Sequence, residues 1–342
     1  MKKTLIALAV LGVTSAAFAQ SNVTIYGQVD IGYKKVTATS LTMAERDPNS
    51  RIGFMGTEDL GGGLKATYQL EQRFALMNGV SSARGDFEGS SNFGLAGSFG
   101  QVRFGRVNEL STETYRRLDP FNQVGVAQAI YTPLRGTWLD GRLSYTARYD
   151  APAFNGINLG ATYTVANQPT VAAGSGGYGG FGEATLGNNG YALSATYTGG
   201  PLYLVANYNK AVNSLGSYNW NLGAAYAFGP LKVSAGYEET QNKMVGAQQK
   251  EKNYLIGLAY TVGAGVINAS WNSSDWSGAG GSADKYAIGY THNLSKRTSL
   301  YANYAHLAYT GSYYLASSTA AISTKTSSAN NSAVEVGITH KF

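Results

Sequence analysis

The chain consists largely of short runs in which apolar and polar residues alternate. In the last run, VEVGITHKF (334–342), every second residue would lie on one face of a strand, and that face ends in Phe342. The run at 64–73 alternates in the same way. A period of two predicts β-strands, and such runs recur from Val23 to the C-terminus.

Seven short turn signals separate these runs into pairs. Gly, Pro and polar residues in them favour the backbone conformations of hairpin connections. The turns are at Thr57–Gly63, Gly97–Gly100, Ala151–Gly156, Gly199–Pro201, Phe228–Pro230, Val262–Gly265 and His292–Arg297. Seven turns pair fourteen strands, and the runs Val23–Tyr33 and Val334–Phe342 at the two ends bring the predicted number to sixteen.

Longer, polar stretches connect one pair of strands to the next. They cover approximately 34–50, 74–91, 107–141, 166–190, 209–219, 240–253, 272–285 and 309–333. Short turns on one side, long loops on the other and an even strand number are typical of bacterial outer-membrane barrels. The predicted fold class is therefore all-β, a 16-stranded antiparallel transmembrane β-barrel. A soluble β-sandwich or barrel would alternate with its apolar face inside, so alternation alone leaves that alternative open.

Five tyrosines favour the membrane barrel. Each has the outward parity of its strand and lies just before a short turn; they are Tyr149, Tyr197, Tyr226, Tyr260 and Tyr290. In a barrel they form one ring at the periplasmic interface, where amphipathic aromatic side chains are favoured. The closing strand would pair with the first strand and end in Phe342 at the same interface.

The N-terminus has the features of a secretory signal peptide. Lysines precede a short apolar run, and small residues at Ala17 and Ala19 indicate cleavage after Ala19. We therefore expect a signal peptide (1–19), a single barrel domain (20–342) and export to the outer membrane. After this leader, no run reaches the roughly 20 apolar residues of a transmembrane helix.

The composition narrows the chemistry. The chain has no Cys, which removes disulfides and thiolate sites, and its three His share no metal-ligand spacing. Neither a GxSxG nor an HExxH motif is present, so we expect no enzyme, no cofactor and no metal. The net charge is +6, but the basic residues are scattered, so no nucleic-acid partner is expected.

Several motifs resemble the general porins of Gram-negative bacteria, in particular the β-proteobacterial branch that includes the neisserial porins. They are SRIGFMGTEDLGGGLKATYQLE (50–71), GLAGSFGQVRFGR (94–106) and LSKRTSLYANY (294–304). VTIYGQVDIGY and VGITHKF look like the first and last strands of that family. The resemblance implies passive diffusion of small hydrophilic solutes through a homotrimer, surrounded by outer-membrane lipid and lipopolysaccharide, with the third outer loop folded into each pore.

The third long connection, 107–141, is 35 residues long. A connection of this size without obvious structure is expected to be functional or disordered. Its stretch VGVAQAIYTPL is more apolar than a mobile surface loop should be. Composition and resemblance together therefore predict that this loop packs inside the barrel.

A barrel of sixteen strands holds water, so its selectivity depends on what narrows it and on the charges there. On the first seven strands, the alternation of side chains predicts that more basic residues than acidic residues point into the barrel. The predicted constriction residues are Arg51, Arg142, Arg73, Arg103 and Glu71 on the wall, and Glu109, Glu113, Arg116, Arg117 and Asp119 on the third loop. Acids on the loop opposite arginines on the wall would give a transverse field.

The resemblance places constriction arginines at Arg51 and Arg142. Some relatives also carry a basic cluster where this chain has Gly89, Ser90 and Ser91, so we predict only a mild preference for inorganic anions. For each arginine, a role in salt bridges that hold the wall remains the alternative.

Three other functions are weighed against this one, and only the last stays open on the sequence. An enzymatic barrel lacks a recognisable motif, and an adhesion barrel would use loops that are here rich in Gly, Ser, Thr and Ala. A substrate-specific channel for small organic anions is nearer to the main interpretation, and the sequence does not separate it from a general pore.

Overall fold

The computed structural model describes residues 22–46, 50–81, 86–129, 141–165, 189–210, 216–244, 247–277, 281–311 and 331–342. The signal peptide predicted at 1–19 lies outside these residues. Two helical segments are present in the described chain, α1 (Leu110–Tyr115) and a 3-10 turn (Arg116–Leu118). No helix in this part of the chain is both long and apolar enough to cross a membrane.

All remaining regular elements of the described residues are β-strands. In chain order they are β1 (Asn22–Val36), β2 (Thr42–Ala44), β3 (Ser50–Gly61), β4 (Leu64–Phe74), β5 (Ser91–Gly97), β6 (Gly100–Asn108), β7 (Arg142–Asp150), β8 (Ile157–Thr164), β9 (Gly190–Gly199), β10 (Leu202–Lys210), β11 (Tyr218–Phe228), β12 (Leu231–Met244), β13 (Ala247–Val262), β14 (Gly265–Ser277), β15 (Gly281–Asn293), β16 (Thr298–Gly311) and β17 (Asn331–Lys341). The three-residue β2 is an extra strand within the first long connection.

The sheet closes on itself. From β3 onward each strand pairs antiparallel with the next, and β1 pairs with both β3 and β17. At the seam, Gln28 lies opposite Lys341, and the backbones of Gly27 and Phe342 exchange hydrogen bonds of 3.0 and 3.1 Å. Closure leaves no unpaired edge among the sixteen long strands. The predicted 16-stranded antiparallel barrel and the pairing of its last strand with its first are confirmed.

The outer face of the barrel is apolar. On β17, Val334 and Val336 are exposed. Glu335, which lies between them, and Thr339, further along the strand, are buried. A soluble barrel would show the opposite arrangement, because water disfavours an apolar outer surface. The outer face is therefore suited to lipid, and the inner face carries the polar side chains.

Aromatic side chains form two rows on this outer face. In the row at the short turns, Tyr149, Tyr226, Tyr260 and Tyr290 are exposed and Tyr197 is half-buried, in agreement with their predicted outward direction. A second row lies toward the long connections and contains Tyr208, Tyr218, Trp220, Tyr237 and Tyr254. Along β11 the two rows are about eight residues or 26 Å apart, comparable with the apolar band of outer-membrane barrels.

All seven predicted turns connect paired strands, but two of the predicted long loops were wrong. The stretches 240–253 and 272–285 are mostly strand, since β12 and β13 approach within two residues of each other and β14 and β15 within three. Polar residues predominate in the sequence of these stretches, and Lys250 Nζ lies 2.9 Å from Glu239 Oε1 across the pair. Their sequence lacks a regular apolar alternation although the backbone pairing continues.

Candidate functional site

The third long connection begins with a capped helix. Glu109 follows β6, and its carboxylate accepts hydrogen bonds from the backbone N–H of Ser111 at 2.9 Å and of Thr112 at 2.8 Å. An acidic N-cap satisfies amide groups that have no partner within the helix. The side chain of Glu109 therefore fixes where α1 begins relative to the end of β6.

α1 and the 3-10 turn pack against the inward face of β10–β12. Tyr203 Oη donates to the Thr114 carbonyl at 2.8 Å, and Lys232 Nζ donates to the Arg117 carbonyl at 2.8 Å. Gly223 faces Leu118 so closely that a Cβ at this position would overlap the leucine side chain. The absence of a side chain at Gly223 is what lets the segment approach the wall.

The second half of the described connection, 119–129, contacts β15 and β17. Lys285 Nζ donates to the Gln128 carbonyl at 2.7 Å, and Glu335 Oε2 accepts from the Val126 N–H at 3.1 Å. Both side chains are buried. Because Lys285 and Glu335 alternate with exposed residues on their strands, they belong to the inner face, and the segment follows that face from β10 to β17.

The side chain of Asp119 holds residues 119–129 together by hydrogen bonds to their backbone. Its carboxylate accepts the backbone N–H groups of Phe121, Gln123 and Ala129 at 2.8–2.9 Å. Burial raises the pKa of Asp119, and the three backbone donors oppose that rise. The side chain thus closes the segment into a compact loop.

Three arginines surround one carboxylate on the wall formed by β3, β4 and β7. Arg73 Nη2 lies 2.9 Å from Glu71 Oε1, Arg142 Nη2 lies 4.0 Å from the same oxygen, and Arg51 Nε lies 3.8 Å from Glu71 Oε2. Tyr26 Oη also donates to Oε2 at 3.2 Å. We call Glu71 with Arg51, Arg73 and Arg142 the Glu71 cluster; its formal charge is three positive and one negative.

A second group of charges lies nearer the short turns. Arg103 Nη2 is 2.6 Å from Asp150 Oδ2, and Arg148 Nη2 is 2.8 Å from Asp150 Oδ1. Arg148 Nη2 is also 2.7 Å from Glu113 Oε2 on α1. We call these four residues the Asp150 cluster; its charges balance, and it ties α1 to the wall.

The structure thus brings six of the ten predicted constriction residues into two clusters. Glu109 and Asp119 instead accept backbone hydrogen bonds within the connection. Arg116 Nη2 donates to the Asn122 carbonyl at 3.0 Å, and the Arg117 guanidinium lies 5.4 Å from the centroid of the Tyr203 ring. These four residues shape the connection or extend toward the β10–β12 wall.

The sequence did not predict the residues that hold the third long connection against β15 and β17. Strand parity was applied only to the first seven strands, although the same alternation on β15 and β17 turns Lys285 and Glu335 inward. Arg46 was also missed, because it lies in a loop where parity gives no direction. Its Nε is 3.9 Å from Asp30 Oδ2, and its guanidinium lies 4.0 Å from the centroid of the Tyr301 ring.

Residues 4–312 match the family described as Gram-negative porin. The chain belongs to this family. The porin is 32% identical over 337 residues to outer membrane porin protein 32 of Delftia acidovorans, across 90% of each chain. It is 35% identical over 179 residues to major outer membrane protein P.IB of Neisseria meningitidis, which covers 48% of this chain and 50% of the relative.

The solved structure of an anion-selective porin from Comamonas acidovorans is similar throughout. The two share 28% sequence identity at a TM-score of 0.77, over 94% of this chain and all of the other. The predicted family, its β-proteobacterial branch, the outer-membrane location and the function as a passive channel are confirmed. Members of the family are channels and not enzymes.

Proposed function

We propose that this porin passes small hydrophilic solutes and inorganic ions with a mild preference for anions, set by the Glu71 cluster. The observation that carries the proposal is the imbalance of charge there, with three guanidinium groups around one carboxylate. A water-filled passage lined by an excess of one sign raises the local concentration of the opposite ion. The balanced Asp150 cluster adds no such excess.

The proposal assigns the narrowing of the pore to the third long connection. Its described part follows the inner face of β10–β17, while the Glu71 cluster lies on β3, β4 and β7. Permeant ions would pass between the two. Arg51 and Arg142 are the arginines of the cluster with more accessible side chains, at 22% and 19%, against 9% for Arg73.

The remaining parts of the proposal rest on the family resemblance. The leader (1–19) is removed on export, the rest of the chain (20–342) forms one barrel domain, and three copies assemble in the outer membrane among lipopolysaccharide. The pore works without catalysis, cofactor, metal or nucleic acid. The similar solved porin is named anion-selective, which supports the sign of the proposed preference.

Single-channel recording in a planar lipid bilayer tests the function. We expect large ohmic current steps, frequently in threes, and a reversal potential on the anion side under a potassium chloride gradient. Absence of conductance would contradict the diffusion pore. A reversal potential on the cation side would keep the pore and reject the assigned selectivity.

A substrate-specific channel for small organic anions is the second candidate. Hydrogen-bonding groups beside the Glu71 cluster favour it, since Arg51 Nη2 donates to Gln28 Oε1 at 3.3 Å and Gln69 Nε2 donates to Tyr26 Oη at 2.7 Å. Such groups could orient a carboxylate. A conductance that saturates with rising succinate concentration but not with chloride would favour this candidate, whereas a linear rise with both would favour the general pore.

A further inference from the structure

Two cationic side chains lie at the periplasmic end of the wall opposite the Glu71 cluster. Lys232 is the second residue of β12, directly after a short turn, and it shares the inward parity of Ser234. Its Nζ donates to the Arg117 carbonyl at 2.8 Å, which places the side chain against the 3-10 turn. Lys232 and Arg117 are both exposed, so water and solutes reach them.

The Arg117 side chain is directed by an aromatic ring. Its guanidinium carbon lies 5.4 Å from the centroid of Tyr203, and the hydroxyl of that tyrosine is fixed by the Thr114 carbonyl. A cation over an aromatic face is attracted by the ring quadrupole but keeps its charge. Tyr203 therefore positions the guanidinium without neutralising it.

The acids of the neighbouring elements are engaged elsewhere. Asp119 accepts three backbone hydrogen bonds, Glu113 pairs with Arg148, and Glu238 is buried further along β12 beside Asn221 and Asn253. Within the described ranges, neither Arg117 nor Lys232 has a carboxylate within salt-bridge distance. Because the Lys232 ammonium is held at the backbone carbonyl of Arg117, two side chains of like charge share this end of the wall and repel each other.

We propose that Arg117 and Lys232 form a second anion site, at the periplasmic mouth of the pore, which takes a small oxyanion carrying two or more carboxylate or phosphate groups. An anion with two charged groups can contact both cations at once and relieves their repulsion. The inference rests on the proposed function, because the pore brings anions to this mouth. A weak exit site separate from the Glu71 cluster suits passage through several sites in succession.

Citrate serves as the probe, in two measurements. The first is brief block of single-channel current when citrate is added to one side of the bilayer, and we expect stronger block from the short-turn side. The second is isothermal titration of citrate into the folded, detergent-purified porin, which does not depend on conduction. Loss of a charge-assisted contact should weaken citrate binding by roughly tenfold for Arg117→Gln with Lys232→Gln.

Two further variants separate a binding role from loss of charge or structure. Lys296→Gln removes one positive charge from an exposed short turn and should leave citrate binding unchanged. Lys232→Arg keeps the charge and should retain most of the binding. Equal citrate affinity in the wild type and the double variant, or an equal loss in Lys296→Gln, would overturn the site. Ohmic current in potassium chloride alone tests the proposed pore separately.

Discussion

The Glu71 and Asp150 clusters lie on the same inner wall and contain the same kinds of side chain, yet their charges differ. In the Glu71 cluster three arginines share one carboxylate. In the Asp150 cluster two arginines meet two carboxylates, because Glu113 on α1 supplies the second. The position of one loop acid therefore decides which arginines are balanced and which leave an excess of positive charge.

Burial of the arginines differs within each cluster as well as between them, and Arg148 and Arg51 are the two extremes. Arg148 bonds both carboxylates of its cluster and its side chain is only 6% exposed, whereas Arg51 is 22% exposed. A buried, doubly paired arginine acts as an anchor for α1. In the proposed pore, the partly exposed guanidinium of Arg51 contributes its positive charge to the passage. Arg148 is therefore assigned to anchoring α1, and Arg51 is proposed as an ion-facing residue.

The largest effect on stability is expected from Glu71→Gln. Removing the shared carboxylate leaves three guanidinium groups facing one another and should lower the free energy of unfolding by about 3 kcal/mol. It should also strengthen the anion preference, because the net positive charge of the cluster increases when its one carboxylate is lost. Denaturant unfolding in detergent and the reversal potential measure the two effects. Glu58→Gln, at an exposed position of β3, is the matched control; equal results for both variants would contradict the role of Glu71.

A smaller loss is expected from Arg148→Gln. The change removes charge-assisted hydrogen bonds to Asp150 and Glu113 and should destabilise the barrel by about 2 kcal/mol. The Asp150 cluster would become negative, so the reversal potential should move slightly toward cations. Arg297→Gln, in an exposed short turn, removes the same charge without these partners. Unfolding at the same denaturant concentration in both variants would show that Arg148 is not an anchor.

The smallest effect is expected from Glu109→Ala, which removes the cap of α1. Loss of an N-cap should lower the free energy of unfolding by about 1 kcal/mol. Glu109→Asp keeps a carboxylate that can cap the helix and should retain most of the stability. Thermal unfolding of the two variants makes the comparison. If Glu109→Asp loses as much as Glu109→Ala, capping is not the role of this side chain.

The fold was predictable because its signals are local. The alternation of apolar and polar residues predicted that Arg51, Arg73 and Arg142 point into the barrel. Turn residues such as Gly199–Pro201 marked the hairpins, so the number of strands followed from short stretches of sequence. The ends of β12–β15 at the long connections were not predicted, since their mostly polar sequence does not give the regular apolar alternation that marks an amphipathic strand.

The site was predictable only in part. Parity says which way a side chain points but not how far it lies from another, so the convergence of three arginines on Glu71 required the structure. The acids Glu109 and Asp119 lie in the predicted loop, but their backbone hydrogen bonds depend on its path. The same path determines that Lys285 and Glu335 hold the loop, which composition does not reveal.

The reversal potential of two double variants under a potassium chloride gradient tests the central claim most directly. Arg51→Gln with Arg142→Gln removes the excess charge of the Glu71 cluster, whereas Arg103→Gln with Asp150→Asn removes one charge of each sign from the Asp150 cluster. We predict that the first variant loses the anion preference and that the second keeps it. An unchanged anion preference in the first variant, or an equal loss in both, would contradict the account.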